Sequence, residues 1–200
     1  MKKNTVKWLC SLFFFALLII ACAGTEISQT QVDDAYKGEP VSNILVIAIT
    51  GNEHNRRTYE KKFVARLKSV GVKAIASEAS VPMPPDLQLK KETILNAVHQ
   101  YQNDAVIITQ LVGKDQEDVH TRGSVARLGF FSYTREPGIS STNTTVRLET
   151  NLYDAKTGKL IWSGQSKTMS KDSTDQIINE VIKAVINNWQ KNKIIASEGS

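Results

Sequence analysis

The sequence predicts one α/β domain of mixed α+β type. A single mixed sheet carries helices packed on it, in the order β-α-β-α-β, insert, β-β-α. Three observations lead there. Residues 44–49 (ILVIAI) and 105–108 (AVII) are short, unbroken apolar runs, the pattern of strands buried on both faces. The stretches between and after them place apolar residues at helical spacing. From residue 145, apolar and polar residues alternate with period two up to a glycine-containing turn, the mark of a half-exposed hairpin.

Taken in order, the run 44–49 opens the domain and ends at Thr50-Gly51-Asn52. Tyr59, Phe63, Leu67 and Val70 then form one stripe of a helix, with Gly71 as its terminator. Residues 72–77 (VKAIAS) make a shorter second strand. Pro82, Pro84 and Pro85 stiffen the next connection. A second helix runs over about 89–101, with Ile94, Val98 and Tyr101 on one face. Asn103-Asp104 turns the chain into the third strand. Strands alternating with helices in this way are parallel.

Residues 113–143 break the rhythm, with Gly113, Gly123, Gly129 and Gly138 among serines and clustered aromatics. Val146, Leu148, Thr150 and Leu152 then alternate with Arg147, Glu149, Asn151 and Tyr153. Residues 154–158 (DAKTG) form a turn, and the return strand runs through 160–169. Ser173 and Gln176 make a capping box for a last helix carrying Ile177, Val181, Val185 and Trp189.

Ahead of this domain, Lys2, Lys3 and Lys7 precede a 13-residue apolar core at 8–20 (WLCSLFFFALLII). That core is shorter than the roughly 20 residues of a spanning helix and has the length found in secretory leaders. The four residues 19–22 (IIAC) resemble a bacterial lipobox. The resemblance implies a leader over 1–21, cleavage before Cys22, and acylation of Cys22 as the first mature residue. Cys10 leaves with the leader, so no disulfide is expected. More than one acyl chain anchors firmly to a membrane. Ala23 follows the cysteine where an Asp often retains such proteins in the inner membrane, which points to the outer membrane.

Residues 23–40 (AGTEISQTQVDDAYKGEP) are polar and lack apolar periodicity. Together with Cys22 they are expected to form a flexible tether over 22–40, with an r.m.s. reach of roughly 25 Å. The domain itself is expected over 41–195. The net charge of +5 weakens as evidence for a nucleic-acid partner once the leader is set aside. Three lysines leave with it, and 22 basic residues remain against 20 acidic ones. No basic stripe with interleaved aromatics is left to track a phosphate backbone, so no nucleic-acid partner is expected.

In element order the chain looks like small bacterial lipoproteins built on the fold of the TolB amino-terminal domain. That core is shared with the curli-secretion lipoprotein CsgG and with lipoproteins that activate peptidoglycan synthases. The residues that carry the likeness are 42–49 (SNILVIAI), 104–111 (DAVIITQL) and 148–163 (LETNLYDAKTGKLIWS). It implies a binding or assembly role in the cell envelope without catalysis, the domain lying on the periplasmic side. The pore-forming relatives have long membrane hairpins. Here residues 119–133 (VHTRGSVARLGFFSY) fit such a hairpin poorly, because Arg122 and Arg127 interrupt it.

The residues offer little catalytic chemistry. His54, His99 and His120 lack metal-ligand spacing, and no serine sits in a nucleophile elbow. No metal, cofactor or enzymatic activity is expected. Two binding regions stand out. Phe130, Phe131 and Tyr133 lie among glycines in the insert and have the chemistry of a protein-binding tip. Asn52, His54 and Arg56 follow the first parallel strand, at the sheet end where open α/β folds bind ligands. The main expectation is an envelope protein partner held through the insert or the outer hairpin face. The alternative is a small ligand in the loop at 51–57.

Overall fold

The computed structural model describes residues 25–32, 36, 39–116, 144–170 and 173–196. Cys22, the expected leader over 1–21, and Phe130, Phe131 and Tyr133 lie outside them. The strands are β1 (Glu26–Val32), β2 (Asn43–Ile49), β3 (Lys73–Ala76), β4 (Ala105–Gln116), β5 (Thr144–Asp154) and β6 (Leu160–Ser170). The helices are α1 (Glu53–Ser69), α2 (Lys91–Tyr101) and α3 (Thr174–Lys191). They form the expected single mixed sheet, in the order β1-β6-β5-β4-β2-β3. β2 pairs parallel with β3 and β4, and every other pairing is antiparallel.

β2 explains its unbroken apolar run by being covered on both sides. Ile44, Val46 and Ala48 join the larger core, under α1 and α3, while Leu45 and Ile47 join a smaller one under α2. The expected α1 stripe is buried, and Gly71 follows the helix at φ +83°, a conformation glycine adopts without strain. Ser173 caps α3 by accepting from the Gln176 backbone N–H at 3.2 Å. Tyr59, Phe63, Trp189 and Trp162 stack in sequence at centroid distances of 5.6, 5.9 and 5.7 Å, tying α1, α3 and β6 together. Gly164 is required there, because a Cβ would overlap the Trp162 ring.

Two expectations are corrected. Part of the supposed tether is β1, an edge strand held antiparallel on β6. Ile27 and Val32, both packed on the larger core, are five apart and would point to opposite faces of a regular strand. A bulge between Ser28 and Gln31 adds one residue and brings both to the same face. The insert is also shorter than expected. β4 continues through Gln116 and β5 begins at Thr144, which leaves 117–143 between them.

Candidate functional site

At the carboxyl ends of β2 and β4, between α1 and the start of α3, a cleft encloses about 500 Å³. Ala48, Ile49, Leu111, Leu148, Ile177 and Ile178 give it apolar lining. Tyr59 and Thr109, both buried, form its polar floor. The Tyr59 hydroxyl shares a hydrogen bond with Thr109 Oγ1 at 2.9 Å, and Thr109 Oγ1 shares another with Thr150 Oγ1 at 3.1 Å. Burial pushes the Tyr59 phenol well above its usual range, against the opposing effect of these hydroxyls. It stays protonated and serves as a hydrogen-bonding group. The exposed Asn52, Lys114, Ser173 and Thr174 make the rim. A second hollow of about 430 Å³ lies near Gly71 and Tyr101, and no buried polar side chain lines it.

Of Asn52, His54 and Arg56, only Asn52 reaches the cleft, where Asn55 of the same 51–57 stretch joins it. The Asn52 side chain also caps α1, accepting from the Asn55 N–H at 3.0 Å. His54 is exposed and does not line the cleft. Arg56, expected on a ligand loop or a solvated helix turn, is 1% exposed. It donates through Nε to Glu60 Oε1 at 3.0 Å, and through Nη2 to Ser77 Oγ at 3.0 Å and the Val81 carbonyl at 2.6 Å. The structure therefore removes Arg56 from any ligand role.

Glu60 explains why a charged pair sits there. β3 stops pairing with β2 at Val46, so the Ala48 N–H has no strand partner on that side. It donates to Glu60 Oε1 at 3.1 Å instead. Ser77 Oγ donates to the same oxygen at 2.8 Å, and the Glu78 N–H to Oε2 at 2.9 Å. The pair closes a gap in the sheet ladder, as buried backbone polar groups require.

Sequence reasoning passed over Tyr59, Thr109 and Lys114. Tyr59 was legible only as a core position on the α1 stripe. Thr109 carried a signal, as the first hydroxyl in an otherwise apolar run. Among the described residues no three His, Cys, Asp or Glu side chains are placed to hold a metal, and no helix is long and apolar enough to cross a membrane.

No protein-family model matches the chain, and no curated protein matches it in sequence. Solved structures do match. The PelC dodecamer from Paraburkholderia phytofirmans aligns over 80% of this chain and 94% of its own, at 11% identity and a TM-score of 0.47. Lipoprotein GNA1162 from Neisseria meningitidis aligns over 75% and 99%, at 19% identity and 0.43. The LpoB carboxyl-terminal domain from Salmonella enterica aligns over 68% and 88%, at 14% identity and 0.40.

Proposed function

We propose that this chain is a lipid-anchored protein of the cell envelope, acylated at Cys22, which binds another envelope protein without catalysis. The observation that carries the reading is the cleft. Its apolar lining and hydroxyl floor suit an inserted side chain that is apolar with a polar tip. The segment 117–143, with Phe130, Phe131 and Tyr133 in its sequence, leaves from and returns to this same end of the sheet. Anchoring in the outer membrane is part of the proposal and rests on Ala23 after the lipobox cysteine.

A photo-crosslinking residue at Lys114, on the rim, tests it in intact cells against the same residue at Lys156, in the hairpin turn. A discrete protein adduct is expected at position 114 alone and should vanish when residues 121–138 are deleted. No adduct at position 114, with normal expression and acylation, would sink the protein-partner reading. Asn52 on the cleft rim favours the second reading, a small ligand in the same cleft. A ligand-dependent rise in melting temperature that Leu148→Trp abolishes would support it.

A further inference from the structure

The position of β1 determines which end of the domain can meet a membrane. Three residues lie between Cys22 and Glu26, and the four Cα-to-Cα steps span at most about 14 Å at full extension. Glu26 pairs with Lys167 on β6, and Lys167 with Arg147 on β5. An anchor at Cys22 therefore keeps the bilayer close to that rung of the sheet, where an 18-residue coil would have let the domain float.

The same rungs carry the exposed apolar side chains. Among the described residues the exposed large hydrophobics are Leu111, at 42%, and Met169, at 53%. Met169 pairs with Thr145 and Leu111 with Leu148, so both fall within the four rungs 145–148 of β5, a height of about 10 Å. They lie on opposite faces of the sheet, so they rim its end and form no one-sided patch. Lys114, opposite Val146, and Lys167, opposite Arg147, are exposed cations on these rungs. Glu26, paired with Lys167, is an exposed acid beside them, and Asp115, opposite Thr145, is a second acid in the sequence of these rungs. Apolar tips among lysines, at the end where the chain runs to its anchor, match the headgroup region of a bilayer.

We propose that the domain seats on the bilayer surface through this end, with Leu111 and Met169 entering the headgroup region and Lys114 and Lys167 beside lipid phosphates. The proposal rests on the anchoring at Cys22 proposed above. It also means that the cleft opens toward the membrane, so its protein partner is met at the membrane surface.

The test uses the full mature lipoprotein in vesicles of phosphatidylethanolamine and phosphatidylglycerol. An alkylated Cys22 leaves an introduced cysteine as the one free thiol. Met169→Cys, Leu111→Cys and Lys156→Cys each carry an environment-sensitive fluorophore. Lys156 lies beyond Asp154, at least about 24 Å along β5 from the anchoring rung. Quenching by lipid-attached nitroxides several-fold stronger at 169 and 111 than at 156 is the expected result. Equal quenching at all three positions overturns the seating. So does a blue-shifted, unquenched label at 169, the sign of a protein cover. A mature chain without the mass of its acyl chains overturns the anchoring itself, and its mass spectrum is read before any quenching.

Discussion

Replacing Arg56 with Met is the perturbation that most directly separates the structural reading from the sequence reading. Arg56 is 1% and Glu60 0% exposed. The substitution leaves the Glu60 carboxylate buried with three neutral donors and no countercharge. Losing one partner of a buried pair costs about 3–5 kcal/mol, a large part of the 5–15 kcal/mol typical of a folded domain. With a urea slope of about 2 kcal/mol/M, the unfolding midpoint should fall by about 2 M. Trp162 and Trp189 fluorescence and far-ultraviolet dichroism should report the same transition.

The double variant Arg56→Met, Glu60→Leu sharpens the test. Buried ion pairs are often replaceable by apolar residues with little loss. Here the exchange strands the Ala48 and Glu78 N–H groups and the Ser77 hydroxyl, at about 1–3 kcal/mol for each buried group left unsatisfied. The double variant should therefore stay well below the parent. A loss under about 1 kcal/mol for Arg56→Met would refute the burial of this side chain, since surface changes fall in that range. Full recovery in the double variant would refute the role of Glu60 in closing the ladder.

Two further outcomes follow from the packing. Ile27→Ser should cost about 1–2 kcal/mol, because Ile27 packs on the larger core, and thermal melting without a measurable change would return residues 26–32 to the tether. Burial raises the Tyr59 phenol above its unfolded value of about 10, so its contribution is intact below that pH and lost as pH rises. The parent chain should then lose stability above about pH 10 that Tyr59→Phe does not lose, and parallel guanidinium titrations of the two would contradict this.

The elements whose patterns are regular could be read directly from the chain. β2 shows its two-sided burial as an unbroken apolar run, and α3 announces its start through Ser173 and Gln176. What was missed had a pattern broken by a specific device. β1 has two apolar anchors at an odd spacing that only its bulge brings into phase. Arg56 and Glu60 fall on the same helical stripe as Tyr59 and Phe63, but their charges conceal a pair that neutralises itself at i, i+4. The cleft includes Asn52, yet most of its lining comes from β4, β5 and α3, far along the chain from that residue. Spatial assembly of that kind leaves no local signature.

The register of β1 also fixes an order of events as the chain folds. Its partners run from Trp162 to Lys167, about 130 to 140 residues downstream, so it cannot pair until nearly the whole domain has been delivered. A chain supplied amino end first keeps residues 25–32 unpaired while β2 through β5 assemble, since contacts this distant close late. The acylation proposed at Cys22 therefore has the whole of that interval in which to occur. On that anchoring, the pairing of β1 then shortens the link, and completion of the fold draws the domain down to the membrane.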